Sequence, residues 1–196
     1  MDPASPMDTR EKLVRTAERL MLRDGYSATR VDDVIRKAGL SKGSFYHFFD
    51  SKEALGLAAL EHYYTDRVGR LAHGTYATET DPLRRAQGFL KHASRVAADL
   101  WTTGCLLASL AADAVGSNRA ISTALKKRTS DLRALLVDLL SPFATPEITA
   151  SDLADRLLVC IEGSIVLARI YDDPRYLRRG FEQFQSCLKK NKVRRA

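Results

Sequence analysis

The chain has 196 residues, of which 45% are hydrophobic, and a formal net charge of +7. This length allows one large domain or two small ones, and the absence of any run of about 18 apolar residues argues against a membrane-spanning helix. Residues 1–7 are polar and contain proline, without the apolar core of a secretion signal, so we expect a disordered leader there.

The positive charge is concentrated at the C-terminal end. Residues 1–56 hold ten Lys and Arg against nine Asp and Glu, whereas residues 175–196 hold eight against one. The sequence pI of 9.4 is therefore no evidence for a basic nucleic-acid surface in the N-terminal part. Residues 191–196 are expected to form a solvated basic tail.

The three cysteines, Cys105, Cys160 and Cys187, are widely spaced. They form no CxxC or Cys/His zinc pattern, so neither a metal site nor a cofactor is predicted. Without a secretion signal, reduced thiols and a cytoplasmic location are expected.

Residues 29–39 predict a short helix. Thr29 and Asp32 are spaced as in a capping box, and the apolar residues that follow recur at intervals of three and four. Gly39 can adopt the positive φ that ends many helices.

A second short helix is expected directly afterwards, with Ser41 as its N-cap. Three phenylalanines at i, i+3 and i+4 predict an inward face: Phe45, Phe48 and Phe49. The outward face then carries Lys42, Gly43, Tyr46 and His47, with Ser44 at the boundary. Asp50 or Ser51 is expected to cap the next helix. Two short helices joined by a glycine turn are typical of the helix-turn-helix motif.

The outward face has the chemistry that a DNA backbone requires. Lys42 supplies a point charge, and the Tyr46 and His47 side chains supply hydrogen-bond donors for phosphate oxygens. Gly43 permits a close approach, and Lys52 begins the next helix nearby. The side chains that could read base edges are Thr29, Arg30, Ser44 and His47.

This segment resembles the N-terminal DNA-binding domain of the TetR family of bacterial transcription regulators, particularly at residues 41–49 and 51–55. Residues 8–24 match the family's first helix, so the resemblance covers about the first 60 residues. It implies that Lys42, Tyr46, His47 and Lys52 contact phosphates and that Thr29 caps at the backbone. It also implies a homodimer, a helical C-terminal ligand domain, and repression relieved by a small molecule.

Two other function classes remain as alternatives. The run from Gly39 to Gly43 fits the G-x-S-x-G elbow of hydrolases, but that motif needs a preceding strand, and residues 32–38 have helical spacing. No other catalytic constellation is present, so no enzyme activity is expected. A helical adaptor that does not bind DNA is the second alternative.

The remaining sequence predicts only helices, at about 51–73, 82–101, 105–115, 119–140, 149–171 and from 174 onward. The expected architecture is all-α, with nine helices in two domains. Residues 8–55 would form the DNA-binding head, and residues 56–190 the effector-binding and dimerisation domain.

The last two helices are predicted to form the dimer interface, because the first of them is apolar on more than one face. The residues assigned to this interface are Leu157, Ile161, Ile165, Leu167, Phe181 and Phe184. A dimer would place two recognition helices one turn of a palindromic DNA duplex apart.

An effector pocket is predicted around residues 101–109, where a Gly-Cys-Leu sequence resembles a motif of one TetR subgroup. The residues assigned to the pocket are Trp101, Cys105, Leu106, Ser109, Glu162 and Arg169. Cys105 follows a glycine break at a helix N-terminus, a position that favours a thiolate. It could sense oxidants or electrophiles, or be an ordinary buried thiol. Glu162 and Arg169 share a helix face and could form an ion pair or hold a polar ligand atom.

Overall fold

Helices account for nearly all regular structure in the computed structural model, which describes residues 8–98 and 100–193, with side chains as far as Lys189. The helices are α1 (Thr9–Asp24), α2 (Val31–Ala38), α3 (Lys42–Phe48), α4 (Lys52–Tyr63), α5 (Gly69–Ala72), α6 (Pro82–Val96), α7 (Leu100–Thr103), α8 (Leu106–Ala114), α9 (Arg119–Leu140), α10 (Ala150–Ile170) and α11 (Arg175–Val193). The predicted leader, residues 1–7, and residues 194–196 of the predicted tail lie outside the described residues.

The helix prediction is confirmed in number as well as in class. A π-helical segment, Tyr64–Val68, joins α4 to α5, so that these form one continuous helix. With that helix counted once, and with the four-residue α7 and the 3-10 turns Thr75–Thr78 and Ser141–Phe143 set aside, the described part of the chain holds nine helices and no strand.

The first of two compact units comprises the chain up to Tyr64 together with Leu106–Lys126. Helix α1 packs against α2, α3, α4 and α8. Leu13, Ala17 and Met21 of α1 are fully buried, because residues four apart lie on one face of a helix. Burial of each large apolar side chain stabilises the fold by about 1.5–3 kcal/mol, so this face of α1 organises the unit.

The second unit comprises Thr65–Cys105 and the residues from Lys127 onward. Helix α11 packs against α10 and α6. The core residues include Phe89, Leu136, Leu140, Leu153, Leu157 and Leu188. Thr149 opens α10 with a capping box, in which Thr149 and Asp152 exchange side-chain and backbone hydrogen bonds.

The compact units do not follow the predicted boundary at residue 55. The first unit contains all of α4, and it also contains α8 and the beginning of α9 from the middle of the chain. Leu106, Leu110 and Ala114 of α8 are fully buried in the same core as α1. The functional division at residue 55 stays a prediction.

Two helices differ in detail from the predicted ones. The helix predicted over 82–101 ends at Val96, and the separate turn α7 follows. The helix predicted over 51–73 contains the π-helical segment. Such single-turn widenings are rare and depend on packing, which hydrophobic spacing does not reveal.

Candidate nucleic-acid interface and effector cluster

The turn between α2 and α3 is built by Gly39, as predicted. Its φ of 64° and ψ of 39° are left-handed, a conformation that glycine adopts without steric penalty. The Gly39 and Leu40 N–H groups donate to the carbonyls of Arg36 and Ile35, both at 3.1 Å. These bonds satisfy the last carbonyls of α2 and direct the chain immediately into α3.

Ser41 caps α3, as its position in the sequence predicts. Its Oγ accepts a hydrogen bond from the Ser44 N–H at 3.0 Å and lies 2.9 Å from the Ser44 hydroxyl. Ser51 does the same for α4, with the Ala54 N–H at 3.0 Å. Each of these two helices therefore has one of its unpaired N–H groups satisfied by a side chain.

The prediction that three phenylalanines form the inward face of α3 is wrong for one of them, Phe48. Phe45 and Phe49 are buried, at 0% and 4% exposure, but Phe48 is 36% exposed. Helix α3 ends at Phe48, and Phe49 is extended, with φ −139° and ψ 122°. The helical i, i+3, i+4 relation fails there, so Phe49 reaches the core while Phe48 stays outside against the His47 ring.

The outer face of α3 is exposed as predicted. Lys42, Gly43, Tyr46 and His47 are all exposed, and Ser44 is half-buried. Lys42 Nζ lies 3.0 Å from Asp32 Oδ1 of α2. The hydrogen bond and the charge of Asp32 raise the pKa of Lys42 above its ordinary value, so this ammonium keeps its proton at any physiological pH. Sequence spacing gave no indication of the pair, since it joins two helices across a turn.

The predicted cap of α2 is wrong. Arg30, not Thr29, is the residue that precedes the helix, and it makes no side-chain capping bond. Thr29 is buried, and its hydroxyl donates to the Gly25 carbonyl at 2.7 Å. Its donor is thus used inside the protein, whereas Arg30 is exposed to solvent.

Lys52, predicted to contact phosphate, is engaged within the first unit. Its Nζ donates to the Ser27 carbonyl at 3.0 Å and lies 4.5 Å from the Tyr26 ring centroid. Partial burial lowers the pKa of Lys52, an effect that the charge of Asp113 opposes. Asp113 itself accepts from the Ser27 N–H at 3.0 Å. Lys52 and Asp113 together hold the loop between α1 and α2. Asp113 lies 86 positions from its partner Ser27, a link that local spacing does not indicate.

Two family models match this chain. Residues 13–59 match the bacterial regulatory proteins of the tetR family. Residues 82–183, more than half of the chain, match the C-terminal domain of LmrA/YxaF-like transcriptional regulators. The chain belongs to the TetR family. Its members are transcription regulators, so neither the hydrolase nor the adaptor alternative applies. The Gly39–Gly43 run joins two helices instead of following a strand.

Relatives and solved structures agree with this assignment. The repressor NemR of Escherichia coli is 31% identical over 137 residues, which is 69% of each chain. The regulator YxaF of Bacillus subtilis is 30% identical over 93% of this chain and 96% of its own. The reduced form of E. coli NemR has a TM-score of 0.76 at 26% identity, covering 91% of this chain and 96% of that chain. A TetR regulator of Chloroflexus aurantiacus has a TM-score of 0.81 at 26% identity, covering 92% and 94%.

Part of the predicted effector pocket of this TetR regulator is brought together in the second unit. The Cys105 thiol lies beside the Glu162 carboxyl group and lowers the pKa of that group. The Glu162 oxygen Oε2 is buried and has no hydrogen-bond partner among the described residues. Burial raises the pKa of Glu162, and the Cys105 thiol offsets this only in part. Arg169 does not pair with Glu162; its guanidinium lies against Gly104, whose φ is 81°.

The other predicted pocket residues lie elsewhere. Leu106 is fully buried in the core of the first unit, and the Ser109 hydroxyl donates to the Met21 carbonyl of α1 at 3.1 Å. Both are on the face of α8 that packs on α1. Trp101 is half-buried in α7.

Most of the predicted dimer residues are buried within the protomer. Leu157, Ile165, Phe181 and Phe184 have 7% exposure or less, and Ile161 is partly buried. They form the inward faces of α10 and α11, whereas a dimer surface has to be exposed. Of the six residues, Leu167 alone is exposed, at 42%.

The exposed apolar residues of α10 lie on its opposite side. Val159, Val166 and Ile170 are 72%, 52% and 66% exposed, and a Cβ at Gly163 would meet open space. Spacings of four, three and four place these residues on one face. We refer to Val159, Gly163, Val166 and Ile170 as the α10 stripe.

Among the described residues, no helix is both long enough and apolar enough to cross a lipid bilayer. In the same residues, no three His, Cys, Asp or Glu side chains are placed to share a metal ion.

Proposed function

We propose that this protein is a cytoplasmic transcriptional repressor that binds a palindromic operator as a homodimer and leaves it when a small molecule binds. The observation that carries the proposal is the construction of α3. A serine cap and the buried Phe45 fix the helix, and its opposite face presents Lys42, Tyr46 and His47 to solvent.

The groups on this face divide into two proposed roles. Lys42, Tyr46 and His47 contact phosphate oxygens, which position the protein on the duplex. Arg30, Ser44 and His47 reach base edges, and Gly43 lets the helix backbone approach the groove. Thr29 and Lys52 act from inside, by holding the α1–α2 loop through the bonds to Gly25 and Ser27.

The proposed dimer forms through the α10 stripe. Isolated exposed apolar residues are common, but a contiguous stripe of them is typical of an interaction surface. Gly163 lies in its middle and allows close approach of a second helix. At the end of α10, Tyr171 stacks on Tyr176 with ring centroids 5.3 Å apart, which extends the apolar surface.

The proposed effector contacts are Glu162 and Cys105. A buried carboxyl oxygen without a partner is rare in folded proteins, and it is suited to accept a hydrogen bond from a polar effector. For an electrophilic effector with a polarised carbon–carbon double bond, the Cys105 sulfur would add to one carbon as the double bond opens and the S–H bond breaks. Glu162 would take the thiol proton and pass it to the other carbon. A carboxyl group with a raised pKa beside a thiol is an arrangement suited to that transfer.

Operator selection from genomic fragments tests the proposed function, and Lys42→Ala tests the face. We expect the selection to recover a palindromic site. The Lys42→Ala variant is expected to bind it about 10- to 100-fold more weakly as a dimer, with a shallower dependence of affinity on salt, because each protomer loses one phosphate contact. Titration of labelled operator at several KCl concentrations measures both quantities.

The matched control is Lys91→Ala, an exposed lysine of α6 in the second unit. It removes the same charge and should leave operator affinity unchanged. Equal effects of the two substitutions would contradict the assignment of Lys42. An effector that binds without changing operator affinity at fixed salt would contradict the proposed release.

The buried carboxyl group predicts a pH dependence of stability. The pKa of Glu162 is raised in the folded state. Its contribution to the free energy of unfolding is therefore most favourable below the ordinary glutamate pKa, and it is lost as pH rises through the folded-state pKa. Glu162→Gln is expected to match the wild type at low pH and to become the more stable protein as pH rises. Urea unfolding between pH 4 and pH 8 would show this, with the exposed Glu182→Gln as control. A difference that does not vary with pH would contradict the prediction.

A further inference from the structure

Asp32 is an acidic residue on the surface proposed to face DNA. It lies in the first turn of α2, and its side chain is 69% exposed. Its carboxylate pairs with Lys42 of α3, which is 70% exposed, at 3.0 Å. A negative charge at this position opposes phosphate binding, and it also neutralises the lysine best placed to contact phosphate.

An ordinary structural role for an acidic residue at this point does not explain the pair. Acidic side chains in the first turn stabilise a helix through its dipole, and Asp33 occupies the same turn. Asp33, however, pairs within α2, with Arg36 at 2.5 Å. Asp32 instead pairs across the turn with Lys42 of α3. Exposed ion pairs of this kind contribute little to the stability of the fold.

We propose that Asp32 is a specificity-determining residue, which restrains Lys42 and so weakens binding to DNA of any sequence more than binding to the operator. This inference rests on the proposed function of the α3 face. On random DNA, the protein makes contacts almost entirely to phosphates. Pairing of Lys42 with Asp32 therefore prevents a large share of those contacts. On the operator, base contacts seat α3 in the groove, and Lys42 can exchange Asp32 for a phosphate oxygen there.

The restraint is consistent with the charge balance of the N-terminal part of the chain. Residues 1–56 have one excess positive charge, ten Lys and Arg against nine Asp and Glu. Because this part is nearly neutral, it has to bind DNA through a few well-positioned side chains. An ion pair on one of them therefore changes the affinity for random DNA appreciably.

The test is Asp32→Asn, measured on a random 24-base-pair duplex and on the selected operator over a range of KCl concentrations. We expect affinity for the random duplex to rise about tenfold per dimer, with a salt dependence steeper by up to about 0.9 per protomer. Operator affinity should rise less, so that the ratio of operator to random affinity falls. Because the side chain is exposed and asparagine has the same shape, the far-ultraviolet circular dichroism should be unchanged.

Two further variants isolate the pair. Asp33→Asn removes the same charge one residue away and should have a smaller effect on random-duplex binding. In a Lys42→Ala background, Asp32→Asn should lose most of its effect, because the group that it restrains is gone. The inference is overturned if Asp32→Asn leaves random-duplex affinity unchanged, or if Asp33→Asn matches it. A wild-type protein that binds neither duplex would instead overturn the proposed function.

Discussion

Replacing Phe45 with alanine is expected to lower the free energy of unfolding by about 3–5 kcal/mol. Phe45 is fully buried, and its ring contacts those of Phe49 and Tyr46, with centroids 5.9 Å and 5.1 Å away. Removing the ring leaves a cavity under α3. The loss is large, because small domains have only about 5–15 kcal/mol of stability in total. Urea unfolding, followed by circular dichroism, measures the loss, and operator binding should fail at temperatures where the wild type still binds.

Phe48→Ala is the matched control, since it removes an identical side chain three residues away on the same helix. With its ring 36% exposed, it should lower the free energy of unfolding by about 1 kcal/mol or less. If the two variants lost similar stability, the separation of Phe45 and Phe48 between core and surface would be incorrect.

Placing a charge in the α10 stripe is expected to abolish the dimer. Val166→Glu would bring two carboxylates together at a dimer interface, where each would lose its water. The variant should sediment as a monomer at about 10 μM, and its operator affinity should fall by about 100-fold or more, because two linked heads gain a factor of 10²–10⁴ from simultaneous binding.

Val115→Glu is the control for this change. Val115 is 57% exposed, close to the 52% of Val166, and it directly follows α8 in the first unit. It should leave the oligomeric state as it is in the wild type. A dimeric Val166→Glu protein would exclude the stripe, and a monomeric wild type that still binds a palindrome tightly would exclude the dimer itself.

Local chemistry explains what could be predicted from the sequence. The Ser41 cap and the Gly39 turn depend on residues at most a few positions apart, so the order of residues is sufficient to place them. Thr29 shows the limit of this approach. It has the spacing of a cap, but the Gly25 carbonyl competes for its hydroxyl in the folded chain.

Long-range packing decides the rest. The apolar pattern of α10 predicts that two sides are covered, but not which side the protomer covers itself. For that reason the apolar pattern predicts an interface at Leu157 and Ile165, whereas both residues are buried in the protomer core. In the same way, the Asp113–Ser27 bond and the burial of Leu106 depend on how α8 packs against α1, which no local pattern specifies.

The inclusion of α8 in the first unit has a consequence for building chimeric regulators. A hybrid joined at a single point near residue 60 would take its first 60 residues from one parent and its α8 from the other. Leu106, Leu110 and Ala114 would then be mismatched with α1 and α4, and the Asp113 bond to the α1–α2 loop would be lost. A transferable DNA-reading module has to be cut from the chain in two pieces, up to Tyr64 and Leu106–Lys126, and exchanged as a pair.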